Sequence, residues 1–94
     1  MKARITDELL DQIRLRPKAR RREIGAAIQR VLESWGHPHV HAGIGIRRLT
    51  KTIFECRVGL DERLAFIVIA TPAELVFFFL GNHDEIRKLI RSRG

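Results

Sequence analysis

The stretch "IFECRVGLDERLAFIV", residues 53–68, carries the fold. Gly59-Leu60-Asp61 separates two apolar runs, "IFECRV" (53–58) and "RLAFIVIA" (63–70), the second of which continues two residues past the stretch. In the first run Phe54, Cys56 and Val58 point one way and Ile53, Glu55 and Arg57 the other, the period of two expected of a half-buried strand. With Gly59-Leu60-Asp61 as a three-residue hairpin loop, Arg57 faces Arg63, Glu55 faces Ala65 and Phe54 faces Phe66. One face of the hairpin is then wholly apolar: Phe54, Cys56, Val58, Leu64, Phe66 and Val68. The other gathers Glu55, Arg57 and Arg63. A loop of even length would set Leu64 opposite Arg57 and split the apolar set, because a one-residue slip inverts every side chain. Two adjacent arginines repel unless an anion sits between them, and a single glutamate offsets this only in part. A surface ion network of little energetic consequence would look the same in sequence.

Working outward, "LVFFFL" (75–80) reads as a central strand covered on both faces. The apolar region from Leu64 to Leu80 is cut by "TPAE" (71–74), so it is a strand, a turn and a strand, not a membrane span. Asn82 caps a final helix, with Glu85 three residues on as in a capping box. Ile86, Leu89 and Ile90 form the apolar face of that helix, and Arg87, Lys88, Arg91 and Arg93 its basic remainder. Toward the N-terminus, Ile24, Ala27, Ile28, Val31, Leu32 and Trp35 make one helical stripe, and Gly36 stops it. Pro17 separates this helix from an earlier one capped by Thr6, with Asp7 and Glu8 in its first turn and Leu9, Leu10 and Ile13 on its apolar side. "KARIT" (2–6) is a short first strand. The expected fold is α+β over residues 1–94 as a single domain: an antiparallel β-sheet with two N-terminal helices packed on one face and a short C-terminal helix.

The net charge of +7 and a pI near 11.0 favour a polyanionic partner: RNA, DNA, a ribosome, an acidic protein or an anionic membrane. "RLRPKARRR" (14–22) holds six basic residues and no acid, which suits either a solvated helical corner or an electrostatic foot on a phosphate backbone. Cys56 is the one cysteine, so no internal disulfide forms and a reduced intracellular setting fits. Nothing after Met1 resembles a signal peptide. His37, His39 and His41 alternate in "GHPHVHAGIG" (36–45), but no cysteine or acid lies close enough to complete a zinc site, and no metal is expected. The glycines of that loop lack the Gly-Lys-Ser/Thr of a phosphate loop.

Taken together, "RRLTKTIFECRVGLDERLAFIV" (47–68) and "FLGNHDEIRKLI" (79–90), preceded by a short strand, two helices and a basic glycine loop, resemble the RelE/ParE superfamily of bacterial toxin–antitoxin toxins. The features that carry the resemblance are the E-x-R-V-G strand, the arginine opening the next strand, and G-x-H-D-E at the end of the last strand. RelE-like members are endoribonucleases that cut messenger RNA in the ribosomal A site without metal. ParE-like members share the fold, poison DNA gyrase and lack the nuclease residues. Both are silenced by an antitoxin encoded beside them. By position, the resemblance implies that Arg57 binds the RNA backbone and that Arg63 stabilises the phosphate under attack. His83 falls where nuclease members place an arginine or histidine for acid or base work. Glu55 matches a position that is glutamate in some members and lysine in others. Nuclease members often carry a tyrosine in or near the C-terminal helix. This chain has no tyrosine, and Arg87 or Leu89 stands at that place, which shifts proton transfer to His83 and Glu55.

RNA cleavage by its own 2′-hydroxyl needs a base, an acid for the leaving oxygen, and cations around the transition state. Histidine can serve either end. Arginine stays charged and forks onto phosphate oxygens. Glu55 among arginines suits a base or an orienting group, not an acid. The expected catalytic set is therefore Glu55, Arg57, Arg63 and His83. Arg20, Arg21, Arg47, Arg48, Lys51 and Arg87 are the expected RNA contacts. The function implied is a cytoplasmic toxin that inhibits translation by metal-independent, ribosome-dependent cleavage of mRNA. Its partners would be a cognate antitoxin, the ribosome and mRNA, with no cofactor and no membrane. The alternatives are a ParE-like gyrase inhibitor and a catalytically inactive basic nucleic-acid-binding domain of the same fold.

Overall fold

Pairing of the two alternating strands follows the odd-loop register: Phe54 lies opposite Phe66, Glu55 opposite Ala65, Cys56 opposite Leu64 and Arg57 opposite Arg63. The structure, a computed structural model, describes residues 1–37, 43 and 45–93. Its elements are β1 (Lys2–Ile5), α1 (Asp7–Arg14), α2 (Lys18–Ser34), β2 (Arg47–Arg48), β3 (Ile53–Val58), β4 (Glu62–Ile69), β5 (Glu74–Gly81) and α3 (His83–Arg93). The strands form one five-stranded sheet in the order β1-β5-β4-β3-β2. From β2 to β5 every pairing is antiparallel, and β1 joins β5 in parallel. The sheet is thus mixed at one edge. A hairpin forces its two strands to run in opposite directions, but β1 reaches β5 from the far end of the chain and is under no such constraint.

Helix ends follow local chemistry. Thr6 Oγ1 accepts a hydrogen bond from Leu9 N–H at 3.2 Å and starts α1. Gly36, at φ 93°, takes the left-handed conformation just beyond α2. At α3 the capping box is reciprocal: Asn82 N–H donates to Glu85 Oε1 at 2.8 Å, and Glu85 N–H donates to Asn82 Oδ1 at 2.9 Å. None of the helices among the described residues is long and apolar enough to cross a membrane.

The helices cover both faces of the sheet. On one, Leu9 of α1 and Ile24, Ala27 and Val31 of α2 bury against Cys56, Val58, Leu64, Phe66, Phe77 and Leu80. Phe66 is the centre of an aromatic group, with ring centroids 5.7 Å from Phe54, 5.0 Å from Phe77 and 5.7 Å from Trp35. On the opposite face Ile86 of α3 buries against Ile53 and Ala65, flanked by Phe78, Phe79, Leu89 and Ile90. The triple phenylalanine serves both layers because the β4–β5 register shifts: Ala65 lies opposite Phe79, but Phe66 lies opposite Phe77. The extra residue, Phe78, forms a bulge. Phe77 and Leu80 therefore join the α1/α2 layer while Phe78 and Phe79 join the α3 layer.

Two polar braces fix the ends of these strands. β1 stops at Ile5, opposite Phe77, so the outer edge of β5 beyond that point has no strand partner. Gln12 supplies one: its Nε2 donates to Leu80 O at 2.7 Å and its Oε1 accepts from Leu80 N–H at 2.9 Å. The side-chain amide stands in for a peptide group of a neighbouring strand. The second brace holds the β3–β4 turn. Arg16 grips Glu62 with Nη2–Oε2 at 2.7 Å and Nε–Oε2 at 3.2 Å, and Arg20 donates to Val58 O at 2.8 Å and Asp61 Oδ1 at 2.9 Å. The hydrogen bond that Arg16 donates to Glu62 raises the pKa of Arg16 above the ordinary guanidinium value. Gly59 has φ +64°, and a Cβ there would run into the Arg20 guanidinium. The basic corner of residues 14–22 is therefore partly structural, and Arg20, expected to contact RNA, is engaged inside the molecule.

Phe66→Ala should lower unfolding stability by roughly 3–5 kcal/mol, because Phe66 is 0% exposed and the cavity cannot be refilled. Leu60→Ala, at a residue 100% exposed on the turn, should change it by less than about 0.5 kcal/mol. Urea unfolding of the two variants checks the contrast.

Candidate functional site

The polar face of the β3–β4 hairpin becomes a site because its neighbours add to it on both sides. Register places Arg47 of β2 opposite Glu55, and Gly81 at the end of β5 opposite Arg63. Two residues past Gly81, His83 opens α3, exposed at the helix start. The pleat separates two consecutive arginines. Arg47 shares the face of Glu55, whereas Arg48 lies opposite Phe54 on the other face. There the Arg48 guanidinium donates to Thr50 O at 3.0 Å and Lys51 O at 2.9 Å and sits 5.9 Å from the centroid of the Phe54 ring.

Two cavities open beside these polar side chains. The first, of about 480 Å³, is lined by Glu55, His83, Arg47, Arg87 and Arg91, with Leu49, Ile86 and Ile90 as its apolar wall. The second, of about 290 Å³, is lined by Arg57, Arg63, Arg47, Gly45 and Ile46. Arg47 belongs to both, so the cavities adjoin. The expected catalytic residues are thereby brought together, Glu55 and His83 in one cavity and Arg57 and Arg63 in the next. Of the expected RNA contacts, Arg47 and Arg87 also converge here. Arg21 and Lys51 are exposed but line neither cavity, and Arg20 and Arg48 have the internal partners described above. The sequence does not single out Leu49, and it places Arg91, Ile86 and Ile90 only on the basic and apolar faces of the last helix, not in a site. Their signal was present as the i, i+4 pairs Arg87/Arg91 and Ile86/Ile90 on one helix.

Glu55 is the unusual member. It is 1% exposed, a carboxylate set in the floor of the sheet. Its Oε2 lies 3.3 Å from Arg63 Nε, close enough for an ion pair. Yet Oε2 accepts no hydrogen bond among the described residues, so Arg63 supplies charge without an aligned N–H. Burying a carboxylate costs several kcal/mol unless cations and donors surround it. Arg63 in contact, Arg47 across the strand and Arg57 two residues along the same face provide the cations.

Arg57 itself is exposed and lies against Gly45, which has φ +76° and no room for a Cβ beside the arginine side chain. Among the described residues no group of three or more His, Cys, Asp or Glu side chains could hold a metal ion. His39 and His41 lie outside the described residues. Burial pushes the Cys56 thiol up to about 12, which keeps it protonated and inert.

Gly45→Ala should strain the left-handed backbone, at a cost of roughly 1–2 kcal/mol, and displace the Arg57 guanidinium. A lowered melting temperature together with a shifted Arg57 Nε–Hε resonance is the expected pair of observations. An unmoved resonance would show that Arg57 does not rest on Gly45.

No family model matches the chain, and no curated protein matches it. Among solved structures, the RelE chain of the archaeal RelE–RelB complex from Pyrococcus horikoshii OT3 is similar, with a TM-score of 0.62 at 18% sequence identity. The match covers 86% of this chain and 92% of that one. What the likeness shows is architecture: the five-stranded sheet with α1 and α2 on one face and α3 on the other is a RelE-like fold.

Proposed function

We propose that the protein is the toxin of a toxin–antitoxin pair and acts as a metal-independent endoribonuclease on ribosome-bound mRNA. The observation that carries this reading is the cross-strand pair Arg57–Arg63, set beside His83 and Glu55 in adjoining cavities on a RelE-like fold. Arg57 and Arg63 hold the scissile phosphate. The 2′-hydroxyl attacks phosphorus as it loses its proton, the P–O5′ bond breaks, and the 5′-oxygen leaves protonated with a 2′,3′-cyclic phosphate on the other fragment. Both guanidinia gain interaction as charge builds on the non-bridging oxygens. His83, exposed beside the cavity, handles the proton at one end of the reaction. Glu55, in contact with Arg63, orients that guanidinium. With no tyrosine in the chain, no phenol shares the proton work.

The similar protein was solved as a RelE–RelB complex, which supports an antitoxin partner here. With a net charge of +7 on this chain, that partner should present an acidic, partly apolar segment over the basic cavities. A ribosomal target places the activity in the cytoplasm. Co-purification with the product of the neighbouring gene tests the partner.

Single-turnover cleavage on programmed ribosomes tests the reaction. Arg57→Ala should slow it by about 10²-fold or more with an unchanged melt, because Arg57 is exposed. His83→Ala should slow it by about 10²–10⁴-fold. Arg63→Ala should lose cleavage and also stability, because it leaves the buried Glu55 without the cation it touches. Wild-type rates in Arg57→Ala and His83→Ala would remove the nuclease reading. Inhibition of purified gyrase without RNA cleavage would put the gyrase-inhibitor reading in its place.

Binding to ribosomes should weaken steeply with salt, since each lysine or arginine contact to phosphate releases counterions. A flat dependence from 50 to 200 mM salt, roughly the range over which such contacts cost 10³-fold or more, would count against a phosphate-backbone interface.

A further inference from the structure

We infer that Gln12 of α1 is a positioning residue for His83, acting through the backbone at the end of β5 from the opposite layer of the molecule. The inference deepens the nuclease reading above and rests on it for the reaction that His83 serves.

The starting point is how His83 is held. It is exposed, so packing does not fix its side chain, and its location follows from the backbone that carries it. That backbone is the exit of β5, Leu80-Gly81-Asn82. Asn82 is pinned by the reciprocal capping box with Glu85. Gly81 is buried, and a Cβ there would come within 2.8 Å of the Phe79 ring and 2.9 Å of Glu85 Cβ. The remaining link is Leu80, and Gln12 holds it.

In a strand the N–H and C=O of one residue point to the same side. Those of Leu80 point away from β4, toward Gln12, so the sheet itself cannot satisfy them. The Gln12 amide meets both, with Nε2 donating at 2.7 Å and Oε1 accepting at 2.9 Å. Without it two backbone groups lose their partners at a point where β1 has already ended, and the end of β5 is free to shift. Gln12 reaches the strand from a firm base. It shares the inward side of α1 with Leu9 and Ile13, which pack into the core. Thr6 N–H donates to Phe77 O at 3.1 Å and ties the start of α1 to the same strand.

Proton transfer demands such control. A general acid or base must lie about 2.6–3.2 Å from the atom it serves. A misplacement of about 1 Å can cost about 10²-fold in rate. Arg57 and Arg63 are placed by the hairpin register, and Gly81 lies opposite Arg63. The Leu80 hydrogen bonds then set the distance from that register to His83.

The test uses Gln12→Met, which keeps the length of the side chain and removes its donor and acceptor. Ile13→Ala is the control: it loosens the packing of α1 and leaves the Leu80 hydrogen bonds in place. All variants are compared below their melting transitions. Gln12→Met should slow single-turnover cleavage at saturating ribosomes by about 10- to 100-fold, with ribosome affinity unchanged. It should also shift the His83 Cε1–Hε1 resonance, which is assigned by its loss in His83→Ala. In the His83→Ala background Gln12→Met should slow cleavage no further, because one residue acts through the other. Ile13→Ala should lower the melting temperature but leave the rate and the resonance as in wild type. An unmoved resonance in Gln12→Met overturns the inference. So does equal slowing by Gln12→Met with and without His83, or an equal resonance shift in Ile13→Ala, since either makes the role merely structural. The nuclease reading fails separately, if wild type does not cleave or His83→Ala cleaves at the wild-type rate. The resonance then decides by itself whether Gln12 places His83.

Discussion

The register between β3 and β4 is the constraint on which the rest depends. Every cross-strand pair of the hairpin follows from closing it at residues 59–61 so that Phe54, Cys56, Val58, Leu64, Phe66 and Val68 share one face. Burial of that set is the driving force, and it sorts the remaining side chains without further instruction. Once the apolar face turns toward α1 and α2, Glu55, Arg57 and Arg63 must face the other way. A slip of one residue would bury arginines under α2 and expose phenylalanines, so the charged cluster is as firmly placed as the core. The charged face is the complement of the hydrophobic one.

Placing a charged cluster is not the same as holding it still, and the fold does the second job with polar contacts. Gln12 completes the β5 edge where β1 has ended, just before the strand delivers His83. The reciprocal Asn82–Glu85 box then fixes the direction in which α3 departs. At the hairpin's far end Arg16, between α1 and α2, and Arg20 of α2 hold the turn through Glu62, Asp61 and the Val58 carbonyl. These contacts are few and mostly half-exposed, so each adds modestly to stability. Their effect is geometric, because they fix the strands and the helix that carry the charged side chains relative to one another.

The positive charge of the chain is divided between structure and surface. Arg16, Arg20 and Arg48 face carboxylates or carbonyls of the same molecule, whereas Arg47, Arg57, Arg63, Arg87 and Arg91 border two adjoining cavities. Net charge alone cannot separate the groups. The arginines at the cavities would repel one another, and Glu55 in their midst lowers that cost while keeping the field positive for an anionic ligand. A single buried carboxylate thus relieves part of the repulsion and leaves the cluster net positive.

The sequence by itself determined every element except the two-residue β2, the hairpin register, the stripe of α2 and the meeting of Glu55, Arg57 and Arg63, because periodicity and loop parity are local properties. It also placed Asn82 and Glu85 as a helix start, since a capping box is complete within four residues. Only the tertiary structure decided the rest. The parallel pairing of β1 with β5 depends on contacts across the length of the chain. The bulge at Phe78 depends on two layers competing for one run of phenylalanines. The burial of Glu55 to 1%, and the internal partners of Arg20 and Arg48, depend on what α2, α3 and the β2–β3 turn bring against them. A side chain's type is written in the sequence. Its partner is set by whatever the packed fold leaves within reach.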